Sequence, residues 1–123
     1  MSSLYQENQY PATAIADDDT LVAWQSNVLR AVTVDGWINS NAAVTVRLQA
    51  ANPAVTPTTV ETGTTVDTAT ELGTGWTTLE TLAVVANTPA GFKYDLLSRQ
   101  CRLLVDNASG GSATVALEVN IRD

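Results

Sequence analysis

Three consecutive carboxylates, Asp17-Asp18-Asp19, are the densest group of hard oxygen ligands in the chain, and clustered oxygens are what a calcium ion takes. Neighbouring side chains on an extended backbone point to opposite faces. The spaced Asp and Gly pattern of an EF-hand loop is also missing here, so the segment reads as a solvated turn and no metal is assigned. Asp95 and Asp106 are the remote acids a fold would have to bring to it. A carboxylate-pair hydrolase needs only two acids flanking a sugar. Glu61, Glu71 and Glu80, however, stand in threonine-rich or strand-like surroundings that show no aromatic-walled cleft. Cys101 is the only cysteine, and histidine is absent. That removes an internal disulfide, a cysteine-based zinc site and the usual base for a catalytic thiol. No catalytic residue and no cofactor are assigned, and the chain is read as not an enzyme.

The aromatic residues are the remaining candidates for recognition. Trp24, Trp37 and Trp76, with Tyr5 and Tyr10, are assigned as possible interface residues. Such side chains fill a β core, line a subunit boundary or stack on a sugar ring. Trp76, introduced by Gly73-Thr74-Gly75, is expected to be the most exposed of the tryptophans. Asn107-Ala108-Ser109 has the form of an N-glycosylation site in a turn. No secretion signal is readable in MSSLYQENQY, and modification is not expected.

These residues have to be held by strands. Ala42, Val44, Val46, Leu48 and Ala50 alternate with Ala43, Thr45, Arg47 and Gln49, while Val28, Val32, Val34 and Ile38 share a face ahead of Asn39-Ser40-Asn41, with Arg30 on the same arm the exception. Period two is the mark of a half-buried antiparallel strand, and the pair reads as a hairpin. Ala113, Val115, Leu117, Val119 and Ile121 alternate in the same way after the turn Asp106–Gly111, giving a second hairpin with Gln100–Asp106. Thr20–Gln25 and Trp76–Ala86 are further strands. Between Asn52 and Gly75 the prolines, glycines and threonines suggest two short edge strands, near Thr58–Glu61 and Thr64–Thr68. FKYDLLSRQ reads as a turn or a loose helical loop. About eight closely spaced strands without a convincing amphipathic helix give an all-β, antiparallel, jelly-roll-like β-sandwich over residues 20–123. Residues 1–19 have no sustained period and read as an extended N-terminal arm.

A chain of 123 residues with 45 % hydrophobic composition builds one core. Thirteen acids stand against six bases, and Arg30, Arg47, Lys93, Arg99, Arg102 and Arg122 are scattered singly. Nucleic-acid binding needs clustered cations, and none is expected. No apolar run approaches the roughly 20 residues of a membrane span. Many acids with one lysine also suit a surface kept hydrated at high salt, so a halophilic setting is expected.

An acidic, catalytically bare, threonine- and alanine-rich sandwich with a polar arm resembles the small accessory proteins of tailed-virus particles: capsid decoration, turret or fibre-base proteins, those of haloarchaeal viruses in particular. The resemblance implies a homo-oligomer, trimer or pentamer, seated on a major capsid protein in the virion. The arm Ser2–Asp19 would then reach a neighbour. No motif accompanies the resemblance, and no residue role is carried over. The alternative from another class is a carbohydrate-binding module, for which exposed aromatics on one face would be the sign.

Overall fold

A computed structural model describes residues 4–26, 31–54, 56–57, 59–68, 75–96 and 100–122, the side chains of 4 and 5 excepted. The described residues form nine strands: β1 (Leu4–Ile15), β2 (Asp19–Gln25), β3 (Val32–Ser40), β4 (Val44–Ala51), β5 (Thr65–Asp67), β6 (Trp76–Val84), β7 (Ala90–Leu96), β8 (Cys101–Asp106) and β9 (Ala113–Arg122). Two antiparallel sheets result, one in the order β1-β9-β3-β7 and one in the order β5-β2-β8-β4-β6. Apart from β5, odd strands lie in the first sheet, and β2, β4, β6 and β8 lie in the second. A chain that crosses between sheets in this way wraps as a jelly roll.

The alternating segments face the core as their period requires. Val44, Val46 and Leu48 on one side and Val115, Leu117 and Val119 on the other are at most 4 % exposed. They meet Ile15, Leu21, Trp24, Val34, Ile38, Leu103, Val105 and Ile121 in one cluster. Burying a side chain of the Val or Leu class is worth about 1.5–3 kcal/mol, so this inward face dominates the stability of the fold. At Gly36 on β3 the packing is too close for a side chain, since a Cβ there would overlap the Glu118 carbonyl oxygen on β9.

The pairing differs from the expected hairpins. β3 pairs with β9 and β7, while β4 pairs with β8 and β6. Asn39-Ser40-Asn41 therefore carries the chain across the core from one sheet to the other, and the Asp106–Gly111 turn does the same. Alternation identifies the face that looks inward. It is the same for a hairpin as for two strands facing each other across a sandwich. Val28 and Arg30, expected on the first arm, lie outside the described residues.

The N-terminal segment is a strand and not a detached arm. β1 pairs with β9 from Leu4↔Arg122 to Ile15↔Ala113, and Ile15 is fully buried. A register shift between Tyr10 and Thr13 accommodates Pro11, a residue that sheets admit at edges and bulges. That irregularity breaks the period in the sequence. Of the two expected short edge strands, the second is β5, and residues 59–61 are not strand. Thr58 lies outside the described residues. The ambiguous FKYDLLSRQ begins as β7, whose Phe92 and Leu96 face inward.

The outward face of the five-stranded sheet carries a second buried layer. All six residues of β8 are buried, Arg102 among them at 0 % exposure. The Arg102 guanidinium lies 4.3 Å from the Trp76 ring centroid, and its Nε donates to Gln49 Oε1 at 2.8 Å. Gln49 Nε2 in turn donates to Thr78 Oγ1. A buried guanidinium is tolerated when its donors and its flat face both find partners.

Candidate interaction surface

Trp37 stands at the centre of the outward face of the four-stranded sheet. β3 lies between β9 and β7, which places Trp37 between Glu118 and Gly91 in register. The residue is 45 % exposed. Its Nε1 donates to Glu118 Oε2 at 2.8 Å, which fixes the orientation of the indole. A groove opens on each side. One, of about 330 Å³, is lined by Gln9, Tyr10, Pro11, Leu117 and Glu118. The other, of about 470 Å³, is lined by Asp35, Gly91, Phe92, Lys93 and Asn120. The first lies at the register irregularity between Tyr10 and Thr13, where Pro11 interrupts the β1–β9 ladder. In the second, Asp35 is held by Arg122 Nε at 2.7 Å and by Asn120 Nδ2.

The other aromatic candidates are placed differently. Trp24 faces the core at 1 % exposure. Trp76, expected to be the most exposed tryptophan, is 7 % exposed because it closes over Arg102. Tyr10 is half-buried and donates to the Ala23 carbonyl at 2.7 Å, and burial pushes its phenol pKa up. Tyr94 stacks on Phe92 with centroids 5.9 Å apart. Its pKa is raised by burial and then by the charge of Glu80. The Tyr5 side chain lies outside the described residues.

Two further large apolar side chains are exposed, Leu79 at 44 % and Val85 at 65 %. Both belong to the opposite sheet, on β6 and just after it. Sequence reasoning missed them because both read as interior residues of a strong strand. It also missed the layer around Arg102, although Leu103-Leu104-Val105 is a continuous apolar run, the signal of a strand covered on both faces.

The groups with chemical potential are occupied in turns. Asp17 Oδ1 accepts from Gly110 N at 2.9 Å, Asp18 adopts φ 60, and Asp19 enters β2 opposite Asp67. Asp95 accepts from Thr33 on the first sheet. Asp106 on the second sheet is paired with Arg47 at 3.3 Å and is reached by Thr68. Among the described residues no group of three or more His, Cys, Asp or Glu side chains is arranged to hold a metal. Glu71 lies outside the described residues. Asn107 is fully buried. Its Nδ2 donates to the carbonyls of Ile15, Ala16 and Gly111, and its Oδ1 accepts from Ser109. Asn107 is a latch between the β1–β2 and β8–β9 turns, and a glycan on that nitrogen would break it. Cys101 is buried at 1 % exposure on β8.

The chain is similar to one in the solved structure of Bacillus endospore appendages, described as a novel family of disulfide-linked pili. The TM-score is 0.54 at 11 % identity, over 99 % of this chain and 88 % of that one. A second likeness is to the crystal structure of PirA, with a TM-score of 0.40 at 15 % identity, over 94 % and 92 % of the two chains. No protein-family model matches the chain. No curated protein matches it either, so the resemblance to virion accessory proteins has no sequence relative behind it. At these identities the first likeness supports the fold, a small all-β sandwich.

Proposed function

We propose that this protein is a non-catalytic structural subunit that works by binding copies of itself. The observation that carries this is Trp37. A large aromatic, oriented by Glu118 and flanked by two grooves, stands exposed on a central strand, and desolvated aromatic anchors supply much of the binding energy at protein interfaces. The fold likeness to an appendage protein supports a filament as the form of the assembly. The acidic, lysine-poor composition is what supports the other form, a decoration or turret protein on a major capsid protein in the virion. The two forms separate in one measurement. Purified protein viewed by electron microscopy and sized by light scattering builds filaments alone if it is an appendage subunit. It stops at a small closed oligomer if it decorates a shell.

Trp37 also favours a second reading, a glycan platform. The ring belongs to an interior strand whose ladder partners are already taken, so a bound peptide would find no strand edge there. A sugar could stack on the indole and hydrogen-bond to Glu118, Gln9 or Asn120. Trp37→Ala decides between them. Loss of assembly without any glycan signal fits the structural subunit. A monomer at every salt concentration, with glycan binding abolished by Trp37→Ala, overturns it in favour of the platform.

A further inference from the structure

The four sheet edges are unequally protected. An edge strand offers unpaired N–H and C=O groups to any passing strand, and proteins blunt it with short length, proline, lysine or bulges. β5 has three residues. β1 carries Pro11 and a register irregularity. β7 carries Lys93. β6 has no proline, lysine or glycine over its nine residues, Trp76–Val84, and its own devices, a bulge at Leu79 and the charge of Glu80, sit in its first half and leave Thr81–Val84 regular. Its partner is β4, and among the described residues nothing pairs with its other side. Residues 77–81 are exposed throughout, where a strand closing a sandwich should alternate.

The bulge and the apolar residues fix what fits this edge. Leu79 is the extra residue of a bulge between Thr78 and Glu80, so the regular part of β6 is Glu80–Val84, with Leu82 at its middle. An antiparallel partner of the same sequence, centred on Leu82, sets Glu80 against Val84 and Thr81 against Ala83. The same register sets Leu79 against Val85, the two large apolar side chains left exposed on this sheet. The two copies of Glu80 are then four residues apart, roughly 13 Å at strand spacing, beyond the physiological screening length of about 8 Å. Centring the pair on Glu80 would place like charges directly opposite, which is destabilising.

We propose that the Glu80–Val84 edge of β6 pairs antiparallel with the same edge of a second copy. A two-fold axis passes at Leu82, and Leu79 of each copy packs on Val85 of the other. The two five-stranded sheets become one continuous sheet. This rests on the self-association proposed above and names one of its surfaces, distinct from Trp37.

The test is a pair of charge substitutions at the exposed positions, read by sedimentation equilibrium. Leu79→Lys and Val85→Glu should each weaken dimerisation tenfold or more, the equivalent of about 1.4 kcal/mol. Combined in one chain they place opposite charges across the axis and should restore it, which a merely misfolded variant would not do. If the protein associates and neither the single nor the combined variant changes its affinity, the β6 pairing is overturned while the structural role stands. A wild-type protein that stays monomeric to about 1 mM overturns both.

Discussion

Tyr10 and Ala23 are joined across the open side of the sandwich: the phenol donates to the Ala23 carbonyl at 2.7 Å, and Asn8 Nδ2 donates to the same oxygen at 3.0 Å. Ala23 is the extra residue of a bulge in β2 and has no residue opposite it on β8. Two side chains of β1 therefore satisfy a buried carbonyl that the ladder leaves over. Tyr10→Phe keeps the ring and removes one donor, and should cost about 0.5–1.5 kcal/mol. Adding Asn8→Ala strips the second donor, and the pair should cost more than the sum, about 2–4 kcal/mol. Urea unfolding of the two single variants and the double variant measures the coupling. Strict additivity would show that the carbonyl has another partner.

The same phenol gives the protein an alkaline limit. Burial raises the pKa of Tyr10 above 10.0, and burial with the Glu80 charge raises that of Tyr94. Above about pH 10 the unfolded chain releases these protons while the folded chain retains them. The unfolded state then binds fewer protons, and stability falls as pH rises through the raised folded values. Below about pH 10 neither group contributes a slope. Tyr10→Phe should flatten part of this alkaline decline in melting temperature. An unchanged decline would place its origin elsewhere.

Deleting residues 2–16 should abolish cooperative unfolding. Treated as an arm, the segment would be dispensable to the sandwich. As β1, it covers the length of β9 and contributes Ile15 to the core, and its loss leaves β9 with an uncovered edge open to aggregation. A truncated monomer with a sharp, native-like thermal transition would show that the sheet closes without β1.

The inward faces were legible because Val44, Val46, Leu48, Val115, Leu117 and Val119 keep strict period two, and burial of one face enforces it. Ladder partners were not legible. β3 and β4 are adjacent in sequence but lie in different sheets, since the corner at Asn41 is tied to Thr114 on β9. The edge positions of β1 and β6 were not legible either. β1 was hidden by Pro11 and its polar inward contacts, whereas Trp76–Ala86 was legible as a strand but not as an edge, because its exposed Leu79 and Val85 are residue types a core would use. Among the tryptophans, composition could not tell Trp37 from Trp76, because what buries Trp76 is an arginine two strands away, on the far side of β4.

Asn107→Ala should destabilise the protein by about 2–4 kcal/mol, because it removes the amide whose two N–H groups are shared among three carbonyls and leaves that of Ile15 short of a partner in a buried turn. Asn107→Asp preserves the bond to Ser109 but replaces the donor nitrogen with an acceptor facing three carbonyls. It should cost at least as much at neutral pH. Chemical denaturation of both variants checks this. A change below about 0.5 kcal/mol in either would mark the site as an ordinary surface turn.

Cys101 is poorly placed to link one copy of the chain to another. Cys101, the single cysteine of the sequence, is 1 % exposed on β8, a strand flanked by β2 and β4. A disulfide between copies needs the two Cα atoms within about 7 Å, which a strand buried on both faces cannot offer to a neighbour. Whatever assembly this chain forms should therefore be non-covalent at Cys101, giving a single monomer band on a non-reducing gel and an unchanged particle size when reductant is added. Cys101→Ser should leave the size of the assembly intact and lower stability by about 1–3 kcal/mol, because it puts a hydroxyl at a core site. Dissociation by reductant, or by Cys101→Ser with the monomer still folded, would show that the thiol links copies and that β8 opens to do so.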